Sequence, residues 1–130
     1  MTMIDNNLFE RGVAKRKATL GERYVAANLT DADDFTRPFQ EAMTAWAWGF
    51  GWSDGAIDVK TRSLMNLAMI GALGQMHEWE VHCRAALNAN GVTKEQVRAA
   101  IHVVAIYCGV PRALECFRVA QQVLAEQAAD

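Results

Sequence analysis

A chain of 130 residues is long enough for one domain with a real core, and short enough that such domains often gain stability by association. Hydrophobic residues make up 52% of it, the formal net charge is −2, and the thirteen Lys and Arg residues are scattered, which excludes a basic stripe for nucleic acid. So apolar a composition in so small a chain predicts a homo-oligomer, with a small molecule or another copy of the chain as partner.

The opening residues lack the basic and apolar regions of a signal peptide. The longest apolar, uncharged stretch, Ser63 to Met76, is well short of the roughly 20 residues that span a membrane. Cys83, Cys108 and Cys116 are odd in number and form no CxxC, so no disulfide framework is expected. A cytoplasmic protein with no membrane partner is the simplest expectation.

In chain order, a first helix is predicted from about Asn7 to Leu20, ended by Gly21. Thr30 to Asp33 resembles a capping box and would open a helix reaching about Trp48. Gly49 to Gly55 carries three glycines and reads as a loop that packs closely against a ligand or neighbour. Asp58 caps a helix from about Val59 to Leu73; Gly74 breaks it, and another runs from about Met76 to Asn90, stopped by Gly91. Thr93 to Gln96 is a second capping box, starting a helix to about Cys108. Gly109 ends that helix and Pro111 opens the last. The chain therefore predicts an all-α, single-domain bundle of six to seven helices with short connections and no strand.

The densest polar cluster in an apolar region is Met76 to Arg84. Glu78 and His82 are four apart, so they share one helix face, and a carboxylate there can fix the imidazole's tautomer and raise its basicity. The structural alternative is an exposed helix pair worth a few tenths of a kcal/mol; for Glu80 and Arg84, at the same spacing, that alternative is better. Trp79, Cys83, Ala86 and Asn90 mark the neighbouring, buried face. His77 and His82 are five apart, which puts them roughly 140° apart around a helix, so they cannot chelate one ion and no metal site is expected. His102, within an apolar run, reads as a core or interface residue. Cys108 lies at a helix C-terminus, where a thiolate is disfavoured. Arg62 has a planar fork suited to a substrate carboxylate, or else pairs with Asp58. Trp46, Trp48, Phe50 and Trp52 suit a core or interface better than a pocket lining.

Four segments together resemble the carboxymuconolactone decarboxylase family: Ala47 to Gly49; Thr61 to Leu64 with Ala68 and Met69; His82 to Ala86 with Asn90 to Thr93; and Ala105 to Pro111. The resemblance runs from Arg11 to about Val123. It implies the alkylhydroperoxidase-like helical fold, assembled as trimers or hexamers. The redox branch of that fold carries a CxxC whose second cysteine lies four residues before a helix histidine. Here that position is Glu78, so thiol–disulfide peroxidase chemistry has no resolving partner.

The decarboxylase branch implies conversion of 4-carboxymuconolactone, a carboxylated unsaturated lactone, to 3-oxoadipate enol-lactone and carbon dioxide in bacterial aromatic catabolism, the beta-ketoadipate pathway. No cofactor is implied, because the ring itself accepts the electron pair. His82 held by Glu78 is then the candidate catalytic pair. Arg62 anchors a carboxylate, and Trp46, Trp48 and Tyr107 complete the candidate substrate-binding set. Trp46 stands where the true decarboxylases carry histidine, and Phe50, Asp54 and Lys60 replace more polar or basic residues. The alternatives are a related lyase, hydrolase or isomerase on another small lactone or keto acid, or a non-catalytic oligomeric binding protein.

Overall fold

The computed structural model describes residues 4–129, which form helices and connections and contain no strand. The chain divides into two compact units, Met1–Val59 and Lys60–Asp130.

The first unit begins with α1, Leu8–Leu20, which stops where Gly21 adopts φ 97° and donates its N–H to Lys17 O. A short α2, Glu22–Val25, absent from the sequence expectation, widens into a π-helical turn, Ala26–Thr30. That turn is why Thr30 to Asp33 is not a capping box: Thr30 still belongs to the preceding helix. Asp33 instead accepts from the N–H of Thr36 at 2.8 Å and from its hydroxyl at 2.9 Å. The next helix, α3, then starts only at Arg37, with Pro38 in its first turn, and runs to Met43. It continues without a break as a π-helical segment, Thr44–Gly51.

Gly49 to Gly51 are therefore helical rather than loop, and the loop begins at Trp52. Tertiary packing overrides the glycines' weak helix propensity here. A Cβ on Gly12 would lie 2.3 Å from Thr44 O, and one on Gly49 would lie 2.2 Å from Leu8 O. The two glycines thus let α1 and the π-helical segment touch backbone to backbone. Arg16, only 3% exposed, fastens α1 to both α3 and the π-helical segment by donating to Gln40 Oε1 at 3.1 Å and Thr44 Oγ1 at 3.0 Å.

The second unit comprises α4 (Val59–Leu73), α5 (Met76–Asn88), α6 (Lys94–Cys108) and α7 (Val110–Ala129). Gly74, at φ 72°, makes the turn from α4 into α5. Thr93 and Gln96 form the expected capping box at the start of α6, at 3.0 and 3.1 Å. The core gathers Leu67, Trp79, Cys83, Ile101, Cys116 and Val123, each at most 2% exposed. Trp79 also finds a partner for its ring N–H, Leu67 O at 2.9 Å, as a buried indole requires. Gly71 leaves room for that ring: a Cβ there would stand 3.2 Å from Nε1.

Overpacking at the first-unit contact should be severe, since backbone must move. Gly49→Ala is expected to cost about 1–3 kcal/mol or more, read as a lowered midpoint in urea with unchanged helical content. Gly55→Ala, with open space around its Cβ position, is the control and should change little.

Candidate active site on helices α4 and α5

Two buried hydrogen bonds tie α4 to α5 and to the turn that follows it. At one end Trp79 donates to Leu67 O; at the other Asn90 Nδ2 donates to Ser63 Oγ at 3.0 Å, with both side chains buried. Between them, Asn66 Nδ2 lies 3.5 Å from His82 Nδ1. His82 sits three residues beyond Trp79, and Asn66 three beyond Ser63. Arg62 is four residues before Asn66 and shares its face of α4. The guanidinium Nε is itself buried.

His82 is partly buried, and burial pushes its pKa down to about 4 from 6.5. The expected influence of Glu78 ran the other way, toward greater basicity. Glu78 is exposed on α5, and desolvation is the cause that lowers the pKa of His82. At neutral pH the ring is therefore an uncharged imidazole with one N–H donor and one acceptor nitrogen. The neighbouring thiols offer no nucleophile: burial pushes Cys83 up to about 12 and Cys116 up to about 11. Among the described residues, no group of three or more His, Cys, Asp or Glu side chains is placed to hold a metal ion. Nor is any described helix long and apolar enough to cross a membrane.

The structure brings His82 and Asn66 together on facing helices, with Arg62 one turn along. The remaining candidates are Trp46, Trp48 and Tyr107. Trp48, 5% exposed, stacks on Trp52 at 4.7 Å as part of the core. Trp46 is 64% exposed and stacks flat on Phe50 at 4.9 Å. Both belong to the first unit. Tyr107 is 82% exposed at the end of α6. An open apolar groove of about 360 Å³ between α4 and α6 is lined by Leu64, Met65, Ala68, Ala99, Ala100 and Val103, and His82 does not line it. Sequence reasoning missed Asn66. Its signal was a lone amide inside the apolar run from Leu64 to Met69, four residues after Arg62.

An uncharged imidazole on α5 and an arginine on α4 are side chains that a small acid-handling enzyme uses. Residues 37–122 match the profile of the Carboxymuconolactone decarboxylase family. Two relatives align over 121 residues, 93% of this chain. One, from Metarhizium robertsii, is "Nitrosuccinic acid decarboxylase npaB", 40% identical with 84% of its length covered. The other, from Acinetobacter baylyi, is "4-carboxymuconolactone decarboxylase", 35% identical with 90% covered. The chain belongs to the carboxymuconolactone decarboxylase family, and it is a carboxy-lyase.

Because the native state holds His82 neutral while the unfolded chain protonates it near 6.5, its contribution to stability is complete above that pH. It is lost as the pH falls from about 6.5 toward 4. The urea midpoint should decline over this window, and His82→Asn should make the decline shallower. An NMR titration placing the ring near 6.5 would contradict this account.

Proposed function

We propose that the enzyme decarboxylates a small dicarboxylic acid whose departing carboxyl leaves its electron pair in an oxygen-bearing acceptor, with 4-carboxymuconolactone as the specific substrate. The observation that carries this reading is His82, uncharged and partly desolvated, in the same unit as Arg62. In the lactone the carboxylate is vinylogously β to the ring carbonyl. As the carbon–carbon bond to the carboxylate breaks, its pair flows into the ring and carbon dioxide leaves. The charge collects on the lactone oxygen as a dienolate, and carbon then takes a proton from water.

The protein's share is electrostatic. A neutral imidazole N–H aimed at the developing oxyanion stabilises the transition state more than the ground state. The low pKa of His82 keeps it in that donor form across the physiological range. Arg62 binds a carboxylate through its planar fork. No role in the step is assigned to Trp46, Trp48, Tyr107 or Glu78.

A second reading is favoured by the 40% identity to the nitrosuccinic acid decarboxylase and by Trp46, which occupies a position where polar chemistry was expected. In that case the substrate is a nitro dicarboxylic acid, and the nitro group accepts the pair as a nitronate. Both substrates ask the same of His82. The exposed apolar side chains Leu73, Ile106, Tyr107, Val110 and Leu114 support the expected homo-oligomer, a trimer or hexamer. Sedimentation should show one of these, and a monomer at micromolar concentration would refute it.

Purified protein should release carbon dioxide from 4-carboxymuconolactone with loss of its ultraviolet absorbance, assayed in parallel with nitrosuccinate. Turnover of nitrosuccinate alone selects the second reading, and turnover of neither rejects the substrate class. His82→Ala should lower kcat by about 10²–10³-fold, the loss of one oxyanion donor, with an intact helical circular dichroism spectrum; near-native activity would remove His82 from the reaction. Arg62→Met should raise KM on the order of tenfold to a hundredfold, the loss of a charge-assisted hydrogen bond.

A further inference from the structure

We propose that the groove between α6 and α7 is a second ligand site, distinct from the face of α4 and α5, and that it takes a small aromatic carboxylate. The inference does not depend on the reaction assigned above.

The groove has a volume of about 190 Å³. An engineered cavity of about 150 Å³ holds a benzene molecule, so this space suits one ring with a short polar group. Val97, Ile101 and Ala120, each at most 4% exposed, form its floor. Phe117 and Leu124, both half-buried, add an apolar wall from α7. The exposed ring of His102 packs against that of Phe117, centroids 6.0 Å apart, and steadies the wall. An aromatic guest gains from Phe117 an attraction beyond the area it buries.

The rim favours an anion. Lys94, Arg98 and Gln121 are its exposed members, and among the described residues no carboxylate lines the groove. Neither Lys94 nor Arg98 forms an ion pair among the described residues. Local helix energetics gives no reason for this pair. The two cations are four residues apart on α6, so they share a face and repel. Lys94 also opens the helix, where the dipole disfavours a positive charge. A carboxylate lodged at the rim reverses the repulsion, accepting from the ammonium and the guanidinium together. The Gln121 amide offers a further donor. Cations that only covered the floor with their stems would give a groove indifferent to the charge of its guest.

The test is an NMR titration of methyl-labelled protein with sodium benzoate. The Ile101 and Leu124 methyl signals should shift saturably, with half-saturation on the order of 1 mM, as suits a ligand of this size in an open groove. Benzyl alcohol, the same ring without the charge, should bind about tenfold more weakly, the loss of a charge-assisted hydrogen bond. Acetate, the charge without the ring, should leave these methyls in place. Lys94→Gln and Arg98→Gln should each weaken benzoate binding by about the same tenfold factor. Both positions are exposed, and circular dichroism checks that the variants remain folded. Ala120→Met should fill the groove and abolish the shifts.

Equal binding of benzoate and benzyl alcohol, or shifts that survive the double variant Lys94→Gln with Arg98→Gln, would overturn the proposal. So would a titration that never saturates. Shifts at Ile101 and Leu124 that vanish in Arg62→Met would place the acid on the face of α4 and α5 and remove the second site. Turnover by His82→Ala bears on the reaction alone, so either reading can fail while the other stands.

Discussion

The register of α4 against α5 is the constraint on which the site depends. Two side-chain hydrogen bonds set it, and each satisfies a buried polar group that would otherwise cost about 1–3 kcal/mol. The indole of Trp79 could pack in several orientations on area alone, but only one carries its N–H to Leu67 O. Gly71 makes that orientation sterically free. Asn90 and Ser63 repeat the device at the other end of the pair. Such bonds add little net stability, yet they exclude every neighbouring register, and the position of His82 follows from that exclusion.

What the imidazole can do is then decided by desolvation. A histidine beside an exposed carboxylate on a water-facing helix would titrate near its ordinary value or above it. His82 instead lies partly beneath the surface, where burial disfavours the charged form. On the function proposed above, the imidazole then serves as a permanent hydrogen-bond donor rather than as a proton carrier poised at neutral pH. Decarboxylations that leave their electron pair in a conjugated oxygen acceptor need such a donor. The same demand is made by a lactone ring and by a nitro group, so relatives named for different acids can share one family.

The first unit is built on a different principle, close approach of backbones. Gly12 and Gly49 bring α1 and the π-helical segment nearer than any side chain would allow. The buried Arg16 fills the remaining polar space through Gln40 and Thr44. Dispersion between close backbones compensates for the entropy that two helical glycines lose on folding.

The sequence alone determined the helical class, the ends of α1 and α4, the break at Gly74, the capping box at Thr93 and the buried face of α5. All of these follow from interactions within a few residues, where spacing is geometry. It also led to His82 and Arg62 as the groups to examine and, through four short segments, to the family. Tertiary structure decided the rest. Thr30 to Asp33 could not be told from a capping box, because the preceding π-helical turn belongs to a fold of the chain that local pattern does not encode. Gly49 to Gly51 are helical only because another helix lies against them. Asn66 is sixteen residues from His82, and nothing in a one-dimensional pattern marks which amide will face which ring. The same holds for the imidazole's charge: spacing gives its neighbours along the helix, but the water excluded from it is a property of the packed molecule.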